Sequence, residues 1–131
     1  MQSMSRIVLA LGLLLTVVAG ACGEEVKPVG RVTYVITRTW SNGMIEKGEV
    51  YGSGALVMTH GDYTEKLQLP KDQMAELAAA AALGVAAGSN SDDPIIGITI
   101  SGGDEVKPAS LQEGSIAELL NRLLDSHTLH P

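Results

Sequence analysis

The sequence predicts an α+β domain: a small antiparallel sheet of hairpins packed by two helices, in the order strands, helix, two strands, helix. Three observations carry this. Residues 31–69 alternate with period two between turn signals. Residues 70–84 and 115–124 repeat apolar side chains at helical spacing, and residues 95–111 return to strand periodicity between them.

The first strand runs from Arg31 to Trp40, with Val32, Tyr34, Ile36 and Trp40 on one side and Thr33, Thr37 and Thr39 on the other. β-Branched and aromatic residues at this period suit a half-buried strand. Ser41-Asn42-Gly43 contains the Asn-Gly pair that tolerates positive φ, which predicts a two-residue hairpin turn. A second strand follows over Met44–Tyr51, and Gly52-Ser53-Gly54 interrupts it as a bulge or turn. Ala55–Thr59 forms the third strand and His60-Gly61-Asp62 a turn. Tyr63, Glu65, Leu67 and Leu69 line one side of a fourth, with Glu65 as the one break in its apolar pattern.

Pro70 suits the first helical position, where a missing N–H has no partner to lose. Asp72 and Glu76 come early enough to complement the helix dipole, and Met74, Leu77, Ala78 and Ala81 mark the apolar face. Gly84 is the expected stop. Ala86–Pro94 reads as a small polar loop, and Ile96, Ile98 and Ile100 as one side of the next strand. Gly102-Gly103-Asp104 turns the chain into a shorter strand near Glu105–Leu111, whose Pro108 belongs on an edge. Ser115-Ile116-Ala117-Glu118 has the S-x-x-E form of a capping box, and Ile116, Leu119, Leu120, Leu123 and Leu124 form one apolar stripe behind it.

The segment before the strands reads as an address. Arg6 precedes the apolar run from Ile7 to Val18, and small residues follow at Ala19-Gly20-Ala21-Cys22. The uncharged stretch from Ile7 to Gly23 has 17 residues, near the lower limit for crossing a bilayer, so a permanent transmembrane helix is the alternative. The ending favours cleavage instead. Ala19-Gly20-Ala21-Cys22 resembles the lipobox of bacterial lipoproteins, with Ala19 where Leu is usual. That resemblance implies an exported protein whose Cys22 sulfur carries a diacylglyceryl group, often with a third acyl chain on its amine. A single acyl chain anchors only marginally, but two or three hold a protein on a membrane for good. The expected organisation is a signal peptide over 1–21, the lipidated cysteine and a short tether over 22–30, one domain over 31–126 and a flexible tail over 127–131.

Composition narrows the function. Setting Arg6 aside leaves eight basic groups against fifteen acidic ones. Such a balance opposes a nucleic-acid surface or a polybasic grip on lipid, both of which need clustered Lys and Arg. One cysteine excludes an intrachain disulfide framework and a multi-cysteine zinc site, and a lipidated Cys22 is neither redox group nor nucleophile.

Each chemical candidate has a plainer structural reading. His127 and His130 stand three apart as a metal pair would, but in a fraying tail with no third ligand near. His60 and Asp62 pair an imidazole with a carboxylate at a hairpin tip, without a nucleophile. Asn90, Asp92 and Asp93 offer oxygen donors without the spacing of an EF-hand. Gly52-Ser53-Gly54 lacks the following helix of a nucleophile elbow or phosphate loop. Trp40 and Tyr34 suit either a ligand groove or the core. No metal or other cofactor is expected, and the domain reads as non-catalytic.

The mature region from about Val32 to Asp125 resembles emfourin-type domains, which occur in some bacterial lipoproteins and small secreted proteins. The likeness lies in layout: Thr37-Arg38-Thr39 on the first strand and hairpin, a helix opening at Leu69-Pro70, a later hairpin, and a closing Leu-rich helix. Those relatives tend to carry a Gly-Gly turn after the first strand, where this chain has Ser41-Asn42-Gly43. Two functions are therefore expected: a membrane-tethered binding module for an envelope protein or small ligand, or, as the resemblance implies, an inhibitor of a thermolysin-like metalloprotease. A lipid carrier is disfavoured, since two helices can scarcely wall a large apolar cavity. The candidate interaction surface is the first hairpin end, with Arg38, Trp40, Asn42 and Gly43, because Trp and Arg concentrate binding energy at interfaces.

Overall fold

Strand pairing follows the alternation along the chain. In the computed structural model, which describes residues 26–88 and 93–127, the elements are β1 (Val32–Thr39), β2 (Ile45–Tyr51), β3 (Ala55–His60), β4 (Tyr63–Gln68), α1 (Lys71–Ala82), β5 (Ile95–Ile100) and α2 (Ile116–His127). The five strands form one antiparallel sheet in the order β4-β3-β2-β1-β5. The α+β class and the order of elements agree with the sequence. Four strands descend as successive hairpins, and β5 returns after α1 to pair with β1, Ile36 opposite Ile98.

The first hairpin differs from the expected two-residue turn. Trp40 N–H donates to Met44 O and Gly43 N–H to Trp40 O, both at 2.9 Å, so the loop is the three residues Ser41-Asn42-Gly43. Only Gly43 takes positive φ there, at 92°, while Asn42 uses its side-chain Oδ1 to accept the Met44 N–H at 3.0 Å. This is a three-residue loop closed by a left-handed glycine, the next commonest way to join two strands. Its consequence is register: Arg38 lies opposite Glu46 and Ile36 opposite Gly48. A two-residue loop would set Arg38 opposite Lys47 and turn the other side of β2 inward.

One face of the sheet is covered. Tyr34, Ile36, Val50, Leu56, Met58, Ile96 and Ile98 are buried, together with Leu77 and Ala80 of α1 and Ile116, Ala117, Leu119, Leu120, Leu123 and Leu124 of α2. Gly48 is where α2 comes down on the sheet. A Cβ there would stand 3.1 Å from Ile36 Cγ2 and 3.2 Å from Leu124 Cδ2, so even an alanine would require those side chains to yield by a few tenths of an ångström. The opposite face carries Thr33, Thr37, Lys47, Glu49 and Thr59, none of them buried.

The helix ends bear out most of the local signals. Ser115 Oγ accepts the Glu118 N–H at 3.2 Å, and Glu118 Oε1 accepts the Gly114 N–H at 3.1 Å, so the capping box forms, its return bond reaching one residue beyond the cap. Arg122 then pairs with Glu118 one turn on. Gly84 ends α1, its N–H bonded to Ala81 O. Pro70 stands one position earlier than expected, as the N-cap in extended conformation, and its carbonyl accepts the Met74 N–H at 3.0 Å. Ala80 rather than Ala78 is the buried alanine of α1. The segment near Glu105–Leu111 pairs through single bridges, Val106 with Ile98 and Pro108 with Ala87, and Pro108 is enclosed. No helix among the described residues is long and apolar enough to cross a membrane.

The α2 stripe is expected to be structural. Leu120 is 1% exposed and Leu123 5%. Leu120→Ala should cost about 2–5 kcal/mol through lost contacts and a residual cavity. Denaturant unfolding measures it, as a clearly lower midpoint at unchanged slope.

Candidate functional site

Alternation along β1 sends Arg38 to the covered side, where a guanidinium needs acceptors in place of water. It finds them on two elements, β2 and α2. Arg38 is 4% exposed and Glu46 2%. Arg38 Nε donates to Glu46 Oε1 at 3.0 Å, and Nη2 lies 2.9 Å from the same oxygen. Nη1 donates to Asn121 Oδ1 at 3.2 Å and to Asp125 Oδ1, both on α2. The Trp40 indole N–H also donates to Glu46 Oε1, and the guanidinium lies over the indole, 5.8 Å from the ring centroid. Strand, hairpin and helix are thereby tied through one buried charge pair.

His60 completes the cluster from β3, its Nδ1 3.0 Å from Glu46 Oε2. Burial alone would raise the Glu46 carboxyl, but hydrogen bonds from Arg38, Trp40 and His60, with the Arg38 charge, outweigh it and hold its pKa below the ordinary value. An ionised carboxylate only accepts, so Nδ1 carries the proton in this contact.

Beside the cluster opens a cleft of about 440 Å³. Arg38, Trp40, Pro94, Ile96 and Leu111 line it together with Asp93, Asn121 and Asp125. Asp93 is itself an anchor: its two oxygens accept the N–H and Oγ–H of Ser41, each at 2.8 Å, which fastens the start of β5 to the first hairpin loop. A second cleft, about 360 Å³, lies between the end of α1 and the start of α2, with Leu83, Val85, Pro108, Glu113 and Ile116 among its walls.

The structure redistributes the residues singled out from the sequence. Arg38, a candidate for the interaction surface, is a buried ion-pair partner, because the register places a carboxylate opposite it. Trp40 is half-buried and serves both as a support for Glu46 and as a cleft wall, whereas Tyr34 belongs to the core at 5% exposed. Asn42 and Gly43 are exposed in the loop. His60 faces Glu46, and Asp62 is exposed in the next turn. Cys22, Asn90, Asp92 and His130 lie outside the described residues, as does the side chain of His127. Among the described residues no group of three or more His, Cys, Asp and Glu is placed to hold a metal ion. Glu46, Asn121, Asp125 and the role of Asp93 escaped the sequence reading. The signal for Glu46 was its place opposite Arg38, visible only once the loop length is known.

Removing Glu46 should leave the buried Nε and Nη2 of Arg38 without an acceptor. Glu46→Ala is expected to destabilise the domain by about 3–5 kcal/mol, the usual effect of breaking a buried pair from one side. The acid limb of stability follows from the same group. A carboxyl with a depressed folded pKa stabilises above the ordinary carboxylate value of 4.5, and that contribution disappears as pH falls through the folded value. Glu118, lowered by its Gly114 and Arg122 bonds against burial, acts in the same sense. Unfolding midpoints measured from pH 7 down to acid should fall below about pH 4.5 in the wild type, and Glu46→Gln should flatten that fall.

Comparison of the chain with protein-family models, with curated proteins and with solved structures returned no match.

Proposed function

We propose that the protein is an exported lipoprotein, held on a bacterial membrane by acyl chains on Cys22, whose domain is a non-catalytic binding module of the cell envelope. The observation that carries this reading is where the tether joins the fold. The chain enters beside the turn after β2: Val29 N–H donates to Ser53 Oγ at 3.2 Å, Ser53 N–H to Val29 O at 3.2 Å, and Gly52 N–H to Arg31 O at 3.0 Å. Trp40 and the large cleft stand at the other end of β1. Eight residues of strand separate the two ends, about 26 Å at 3.3 Å per residue. The six residues Gly23–Pro28 can add about 20 Å if extended. An anchor at Cys22 would thus leave the cleft open toward the aqueous side, free of the headgroups. That placement suits reception of an envelope protein or ligand.

The test begins with the mature protein from membranes. Intact mass should show an N-terminal Cys22 carrying acyl groups, and detergent-phase partitioning should be lost in Cys22→Ala. A mature chain that starts elsewhere and carries no lipid would overturn the anchor. Near-stoichiometric inhibition of a thermolysin-like protease would replace the binding module by an inhibitor.

A further inference from the structure

We infer that the cleft beside Trp40 receives a basic side chain, Arg or Lys, from an extended segment of a partner protein. The inference rests on the binding-module reading and names the chemistry of its partner.

Arg38 does not serve as a ligand contact. Its Nε and Nη2 are engaged by Glu46 and its Nη1 by Asn121 and Asp125, and its 4% exposure hides it from solvent. An anion entering the cleft therefore meets a cation already neutralised by Glu46. What the cleft does present is carboxylate. The Asp125 side chain is 62% exposed, and Asp93 is exposed just before β5. Asp93 Oδ1 and Oδ2 and Asp125 Oδ1 each accept one bond from the protein, which leaves both carboxylates further acceptor capacity. The cleft thus carries an excess of negative charge on a domain that is acidic overall, and a cation is its complement.

Three other features shape the occupant. Trp40, Pro94 and Leu111 provide apolar walls for the methylene stem of a long basic side chain. Asn121 gives its carbonyl oxygen to Arg38, a pure donor, which turns its amide NH₂ away and offers it to a backbone carbonyl of the segment. The volume of about 440 Å³ falls within the usual range of about 300–1,000 Å³ for small-ligand sites, enough for one long side chain and its backbone.

The experiment uses the full mature protein in non-ionic detergent and three probes: acetyl-Gly-Gly-Arg-Gly-Gly-amide and its Leu and Glu counterparts. Trp40 is the single tryptophan of the chain, so its fluorescence and its indole N–H resonance report on the cleft alone. The Arg peptide is expected to shift both signals saturably and to bind at least about fivefold tighter than the Leu or Glu peptides, with the preference shrinking as salt rises. Asp125→Asn keeps an acceptor for Arg38 while removing the charge, and Leu111→Lys sets a cation in the lining of the cleft. Each should lower affinity for the Arg peptide about fivefold at an unfolding midpoint near that of the wild type. Equal binding of all three peptides, or unchanged affinity in both variants, overturns the inference. Ethylguanidinium binding as tightly as the Arg peptide also overturns it, since the backbone would then contribute nothing. Because binding is read in solution, an unlipidated protein that prefers the Arg peptide defeats only the anchor. A lipidated one without that preference defeats only the cleft.

Discussion

The register of the first hairpin is the constraint on which the rest of the molecule depends. With Ser41-Asn42-Gly43 as the loop, Glu46, Gly48 and Val50 face the helices, and Lys47, Glu49 and Tyr51 face outward. Shortening the loop by one residue would exchange those sets, because side chains alternate strictly along a strand. Lys47 would then oppose Arg38 under the helices, two like charges in a buried row. Arg38 and Glu46 attract in one register and have no counterpart in the other, so the pair discriminates between them whatever its net contribution to stability. Buried ion pairs are often worth little against an apolar replacement and a great deal against a broken pair. Here the value lies in excluding the slipped sheet.

The same register prepares the ground for α2. Gly48 lies opposite Ile36 and leaves the hollow that Leu124 fills, so the helix approaches the covered face at a position with no side chain of its own. Once seated, α2 presents Asn121 and Asp125 to the end of β1, where Arg38 reaches for acceptors. Apolar packing thus sets the height of the helix and the charge pair its direction. Asp93 adds a third tie by holding Ser41, which joins the arrival of β5 to the hairpin loop. Three chain segments distant in sequence meet at one end of the sheet, and the cleft is the space left between them.

That end carries a division of labour among its charges. Arg38 and Glu46 are withdrawn from solvent and engage each other, with Trp40 and His60 steadying the carboxylate. Asp93 and Asp125 remain in contact with solvent while serving as acceptors within the fold. A carboxylate fixed by a protein donor has already lost side-chain freedom, so little further entropy is surrendered when a ligand meets it. The proposed anchoring at Cys22 would orient this prepared end outward, with the first hairpin farthest from the membrane.

The sequence by itself determined the kinds of element and their order. Period-two alternation, the capping box at Ser115–Glu118 and the glycine stop at Gly84 are local signals, each readable from a few neighbouring residues. The apolar stripe of α2 was legible for the same reason, since all its members share one helix face. The candidate site was legible only in part. Trp40 and Arg38 stand out from the sequence as candidate interaction residues, but nothing local to Glu46, Asn121 or Asp125 shows that they gather around Arg38. Neither side of β2 is clearly apolar: one holds Glu46, Gly48 and Val50, the other Lys47, Glu49 and Tyr51. With no hydrophobic preference between them, and an Asn-Gly pair compatible with loops of either length, local information left the register open. Tertiary structure decided it, because only the assembled molecule sets Leu124 against Gly48 and supplies Asp125 to a buried Arg38, and those contacts exist in one register alone.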